Sequence, residues 1–461
     1  MEYVQDTITL QQERNQIFKN FYNNIIPKRM PVMMTLPSHV MAEMVNVNSV
    51  EFQFDYALLR DAAETLCSSV YSDSCPVMPI NISSRLPGMY QALDSQSFKM
   101  GGNGYMQHPE VVGMVEEDYK YLIEDPYACI LERILPRQFA NLSTDDSIMH
   151  SNAIAKAKAE ISKQSGALMP IVLNLISKNG YYQGAPQGSV GFTAAPYDFL
   201  GDQLRSFSGI SKDIRRNRNL IIDACEALFP LMFRLGLVSN PSPEGFISTP
   251  LHMPTFMREK DFVEVWLPTY KRMLEQYAAL GMRVSAFCEH DWMRYLDILE
   301  ELPAGTLLRF EYGDPKIIKQ KLGKKFFIAG LYPIELIKRG TREECIDKAK
   351  ELLDIMLPGG GYLFGFDKGP LMLSDINMDN YLALSEFLHE YAVYDNTGDS
   401  FGMKLNSEGF IYDPGSTQFE SKYLTNWADY KDKYPMTPNS VRKTLEQHDN
   451  DLLRFYLNLL V

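Results

Sequence analysis

Short apolar or β-branched runs, each closed by Gly, Pro or polar residues, recur along the chain. In its second half they alternate with stretches of helical period. About eight runs read as strands: Pro31–Leu36, Val77–Ile82, Ala167–Asn174, Gly245–Leu251, Arg283–Glu289, Thr306–Glu311, Lys325–Tyr332 and Gly361–Phe366. Between the later ones, Lys260–Leu280 places Phe262, Trp266, Met273, Tyr277 and Leu280 on one face and stops at Gly281. Pro268 inside it predicts a kink. Thr341-Arg-Glu-Glu344 has the pattern of a capping box for a helix that ends before Pro358, and Asn377–Tyr391 reads as a further amphipathic helix.

Strand and helix alternating at this spacing imply parallel strands with crossover helices. A doubly wound sheet would carry a glycine-rich turn after its first strand, whereas the run Pro358-Gly-Gly-Gly361 precedes its strand. The expected fold is therefore α/β, a (β/α)8 TIM-type barrel over residues 1–402. Residues 85–160, with the turn Met100-Gly-Gly-Asn-Gly104, read as an insertion after the second strand. Residues 403–461 read as a C-terminal extension packed on the barrel, its last helix starting near Asn439.

Composition narrows the function. The 461 residues are 45% hydrophobic and 22% charged, ordinary for a globular chain, and carry a net charge of −13. That balance argues against nucleic acid or an anionic membrane as partner. Six cysteines without a CxxC pair read as reduced thiols. The polar, acidic start (Met1 to Arg14) does not resemble a signal peptide, and no apolar run approaches the roughly 20 residues of a membrane span. The expectation is a cytoplasmic protein.

In such a barrel the strand ends and the loops after them face the active site. The fourth strand ends Thr249-Pro-Leu-His252, the fifth Phe287-Cys-Glu-His-Asp291, the sixth Arg309-Phe-Glu-Tyr312 and the eighth Phe364-Gly-Phe-Asp367. His252, Glu289, Glu311 and Asp367 are the candidate catalytic residues, a set that suits a zinc-like metal or a general acid/base pair. The metal reading takes His252, Glu289 and Glu311 as ligands. Strand alternation makes Glu289 and His290 point to opposite sides, and Glu289 is the one read as inward. Cys288 then faces the helices as a small hydrophobe, and Asp291 precedes a helix that it would cap. Met33, His39, Arg309, Tyr312 and Tyr332 are the candidates for holding substrate. The methionines Met33, Met34, Met41 and Met44 read either as adaptable core or as a lining for an apolar or thioether-like ligand.

Several segments, in order, resemble the uroporphyrinogen decarboxylase superfamily, which includes the cobamide-dependent methyltransferases. They are Ala195-Pro-Tyr-Asp198 through Asp202, Arg205, Gly209 and Asp213-Ile-Arg-Arg216, then Thr249–His252, Phe287–Asp291, Gly330-Leu-Tyr-Pro333 and Arg339-Gly-Thr-Arg-Glu-Glu344. The series closes with Pro358-Gly-Gly-Gly-Tyr362, Met378-Asp-Asn380 and Glu390-Tyr391. The likeness spans roughly residues 25 to 395. True decarboxylases carry an arginine-rich stretch at the end of the first strand. Here that place reads Leu36-Pro-Ser-His-Val-Met41, and Arg85-Leu-Pro-Gly-Met-Tyr90 is only an echo of it.

Thiol-specific methyltransferases of the superfamily bind zinc through His-x-Cys and a later Cys. The first pair aligns with Phe287-Cys-Glu289, and no cysteine follows near the eighth strand. The resemblance, with oxygen and nitrogen donors in place of thiolates, implies transfer of a methyl group from a small methylated substrate, such as a methyl ether, to a corrinoid carried by a partner protein. A homodimer is also within the expectation. The alternative is a decarboxylase-like lyase acting on a small carboxylic acid, with Arg309 or Arg258 as anion anchor. A barrel kept only as a binding subunit is the third reading.

Overall fold

A computed structural model describes residues 2–48, 50–77 and 86–461. A short antiparallel hairpin, β1 (Lys99–Met100) and β2 (Met106–Gln107), closes over the glycine turn at 101–104. The main sheet follows: β3 (Val190–Phe192), β4 (Phe246–Leu251), β5 (Val284–Asp291), β6 (Leu307–Tyr312), β7 (Phe327–Tyr332) and β8 (Tyr362–Phe366). These six strands lie side by side in sequence order, and every neighbouring pair is parallel. Parallel neighbours need crossovers, and helices supply them.

β7 is buried along its whole length, as a strand covered on both faces must be. Thr341 and Glu344 form the capping box reciprocally, and Asn377 caps the helix Met378–Tyr391. Pro268 is absorbed by a widened π turn over Phe262–Trp266, after which Leu267–Ala279 runs as regular helix. Gly281 takes φ of 71° at its end.

One expected strand is a helix. Ala167–Asn174 lies inside Ser147–Asn179, a 33-residue helix whose start is capped by Asp146 Oδ1, which accepts the N–H groups of Ile148 and Met149. Ala153, Ala157, Gln164, Leu168, Ile171, Val172 and Leu175 bury one face at a spacing of three or four. Pro170 is tolerated because it and Gly166, whose carbonyl its missing N–H would have bonded, are both exposed to water. The third strand is instead Val190–Phe192. Of the expected second strand, residues 78–82 lie outside the described residues. Pro31–Leu36 is extended without forming a full ladder.

What holds the first segments together is a buried ion cluster. Asp73 has no exposed surface. Its carboxylate accepts Arg29 through both terminal nitrogens, the Val32 N–H at 2.8 Å and the Tyr71 hydroxyl at 3.2 Å, with Arg14 Nε 3.3 Å away. Its backbone continues the pairing: Asp73 N–H donates to Val32 O and its carbonyl accepts Tyr182 N–H, both at 2.8 Å. Single parallel bridges join Leu36 to Val77 and Ser74 to Tyr182. The extended segments at 31–36 and 72–77 therefore stand beside one another and lead toward the stretch that enters β3.

The extension packs on the helix Arg218–Gly236. Arg454 donates to the carbonyls of Arg234 and Leu237, and Gln276 bonds Ile411 O and Asp413 N. Among the described residues, no helix is long and apolar enough to cross a membrane.

Two outcomes follow from the cluster. Asp73→Ala leaves two buried guanidinium groups and the Val32 N–H without their acceptor, and is expected to cost about 3–5 kcal/mol in a urea unfolding titration. His389 stacks on Tyr71 at 3.9 Å. Burial and the neighbouring arginines hold its pKa below the usual 6.5, against weaker attraction from Asp73 and Glu390. Below pH 6.5 the unfolded chain binds a proton here that the folded chain resists, so acidification should lower stability. In His389→Phe the denaturation midpoint should fall less steeply across that window, and an unchanged slope would reject the assignment.

Candidate metal centre

The carboxyl ends of β4, β5, β6 and β8 bring their charged residues to one side of the sheet. Extended backbone would turn Glu289 and His290 to opposite faces. Instead the pairing of β5 with β6 slips between Cys288 and Asp291, and His290 takes φ of 60°, the left-handed region. The irregularity turns both side chains toward His252. Donor atoms of His252, Glu289 and His290 all lie within 4.8 Å of one another, and the two imidazole centroids are 6.0 Å apart.

A second carboxylate stands behind His252. Asp202 lies in the π turn Phe199–Arg205, and His252 Nδ1 is 3.2 and 3.3 Å from its two oxygens. That hydrogen bond pushes the His252 pKa up to about 9 against the effect of burial. It also fixes the ring, leaving Nε2 as the nitrogen free to coordinate. Asp198, four residues earlier and buried, accepts the backbone N–H groups of His252 (2.8 Å) and Met253 (2.9 Å), and the Trp266 indole N–H. Burial and the nearby Asp202 push its pKa up to about 7. Burial also raises Glu289, with His252 opposing.

The remaining sequence candidates have other partners. Glu311 stands beside the triad as a support: its Oε2 accepts His290 N–H at 2.7 Å and its Oε1 pairs with Lys368 Nζ at 2.8 Å. Burial alone would raise its pKa, but these two partners hold it below the usual range. The third donor of the cluster is accordingly His290, in the place the sequence reading gave to Glu311. Asp367 accepts the N–H groups of Ile334 (2.9 Å) and Lys368 (2.7 Å) and so secures the start of the helix Ile334–Arg339.

Arg309 lies over the Phe287 ring at 4.7 Å and donates to Phe366 O at 3.2 Å. Tyr312 is exposed, its ring 5.4 Å from Lys368 Nζ. Tyr332 is buried and turns to the helix layer, where its hydroxyl donates to Cys345 O at 2.9 Å. Met33 is half-buried against the core. His39 sits edge-on to Tyr105 at 5.7 Å, its pKa lowered by burial with Glu43 opposing. Asp291 accepts Met293 N–H at 2.8 Å and Cys288 is wholly buried.

The sequence reading set His290 aside as turned away from the site, met Asp202 only within the family-like segment, and did not name Phe256. The Phe256 ring lies 5.4 Å from both imidazoles and 5.1 Å from Phe207, and both phenylalanines are exposed. The i, i+4 spacing of Asp198 and Asp202 was a usable signal, since it places both acids on one side of a helical segment. His290 was visible at its strand end, but its direction depends on a backbone irregularity.

Two imidazoles and one carboxylate form a donor set of the kind that binds zinc with a position left open, and Asp202 adds the outer carboxylate that such histidines ordinarily have. Comparison with protein-family models finds no match, and comparison with curated proteins finds none either.

The geometry sets an order of effects on metal affinity. By zinc titration against a chelator, His252→Ala and Glu289→Gln should each abolish tight binding. Asp202→Asn should weaken it roughly tenfold to a hundredfold. Glu311→Gln should weaken it less than loss of either ligand. Equal loss in Glu311→Gln and Glu289→Gln would instead make Glu311 a ligand.

Proposed function

We propose that the chain is a cytoplasmic methyltransferase component that moves a methyl group from a small methylated substrate, such as a methyl ether, to the corrinoid of a partner protein. The observation that carries the reading is the convergence of His252, Glu289 and His290 at the strand ends, with Asp202 behind them. The fold under this reading is a closed (β/α)8 barrel. Its support is the sequential order of β3–β8, together with the two extended segments at 31–36 and 72–77 that stand in parallel before them.

His252, Glu289 and His290 would hold a zinc ion, which when bound supplies Lewis acidity toward the donor's heteroatom. The protein's own part is positional. Asp202 orients His252, Glu311 anchors the backbone of His290, and Lys368 neutralises Glu311. Phe256 and Phe207 form an exposed apolar rim at the site, suited to a methyl-bearing substrate and to a docking protein face. Arg309 is tied to Phe287 and Phe366, and Lys368 to Glu311, so neither cation stands open to a polycarboxylate.

The test is formation of methyl-cob(III)alamin from reduced cobalamin, scanned over methyl ethers, methylamines and methyl thiols. Turnover with at least one donor, lost in Glu289→Gln while the fold persists by circular dichroism, is the expected result. No methylation from any donor, with release of carbon dioxide from a small acid, would move the protein to the lyase reading.

A further inference from the structure

A cavity of about 1280 Å³, with no residue of the triad in its lining, lies where β3 begins and the helix Arg218–Gly236 ends. Gly188, Val190, Val238 and Ser239 form one wall, and the C-terminal extension between Tyr412 and Arg454 forms the other. Small-molecule sites commonly occupy about 300–1,000 Å³, so the space is ample for a metabolite.

The charges of the lining are mostly spent. Arg442 pairs with Glu446 at 2.7 Å and Lys422 with Glu132 at 2.6 Å, while Arg454 donates to two backbone carbonyls. Asp449 accepts Thr425 N–H at 2.7 Å, and Asp125 accepts the N–H groups of Ala128 and Lys422. Arg234 is different. Its guanidinium lies over the Phe419 ring at 4.7 Å and makes no ion pair or hydrogen bond with any described residue. Its donors are unused by the protein, and the carboxylate whose charge reaches it, Glu446, is already bonded to Arg442. Burial lowers its pKa, with Tyr412 and Glu446 opposing.

We propose that this cavity binds a small hydroxylated metabolite through a single carboxylate or phosphate group received by Arg234. The guanidinium presents a planar fork of donors that matches such an oxyanion. Glu124, Glu420 and Asp429 also line the cavity, their carboxylates unpaired among the described residues, and they would repel further negative charge while accepting hydroxyl groups. The ligand is thus a monoanion with hydroxyls rather than a polyanion. Because half of the wall is the extension, binding fastens residues 412–454 onto the sheet, independently of the metal centre and of the reaction proposed for it.

The probes are inorganic phosphate and gluconate, titrated calorimetrically into the full-length protein at low ionic strength, with citrate as the polyanion. At least one of the first two should bind saturably and more tightly than citrate. Arg234→Met should weaken that binding about tenfold or more, Arg234→Lys by less, and the unliganded melting temperature should not drop. Glu289→Gln should bind the probe as the wild type does. Absence of saturable binding by both probes, tighter binding of citrate, an unchanged affinity in Arg234→Met, or loss of binding in Glu289→Gln would each overturn the proposal.

Discussion

The carboxylate of Asp73 is the constraint on which the first third of the chain depends. It is fully buried, so its charge is tolerable only because Arg29, Arg14, Tyr71 and the Val32 N–H surround it. The partners come from three stretches of the chain, Tyr71 from beside Asp73 itself. Arg14 belongs to the N-terminal helix and also holds the carbonyls of Asn179 and Gly180 at the end of the long helix. Val32 belongs to the first extended segment and Arg29 lies just before it. Backbone pairing alone is sparse here, with single bridges where β4–β8 have ladders. Side-chain electrostatics supply the registration that main-chain hydrogen bonds supply elsewhere.

The rest of the sheet needs no such device. β4 to β8 pair continuously, and their burial is dense enough to fix register by itself. The slip in β5 is the exception. Glu311, on the neighbouring strand, stabilises it by accepting the His290 N–H that the disrupted ladder leaves without a strand partner. An irregularity of that kind beside a cluster of donor atoms is where a backbone departs from ideal geometry to aim side chains.

What could be read from sequence divides along the same line. The runs at 245–251, 283–289, 306–311, 325–332 and 361–366 are strands within two residues of their expected limits, because alternation, length and turn residues all agreed. Ala167–Asn174 failed because an apolar run of that length fits a buried strand or one side of a long helix equally well. In the site, His252 and Glu289 were legible as strand-end residues. His290 and Glu311 exchanged roles for one reason: alternation predicts side-chain direction only while φ stays negative, and at His290 it does not. Asp202 belongs to a π turn, a geometry without a reliable sequence signature, although its spacing from Asp198 was visible.

The strand-end ionisable groups can therefore be sorted by what they already do. Asp198 holds two backbone N–H groups and an indole, Asp367 holds two backbone N–H groups, and Glu311 holds an N–H and a lysine. Asp291 closes a turn at the surface. These acids are consumed by structure, which is the ordinary fate of a carboxylate beside unsatisfied backbone donors. Subtracting them leaves Glu289, His252 through Nε2, and His290, three donors on two adjacent strands with Asp202 fixing one ring. A concentration of ionisable residues at strand ends is by itself weak evidence for chemistry. The remainder after backbone obligations are met is stronger, because no packing or hydrogen-bonding need of the fold accounts for bringing those three groups together.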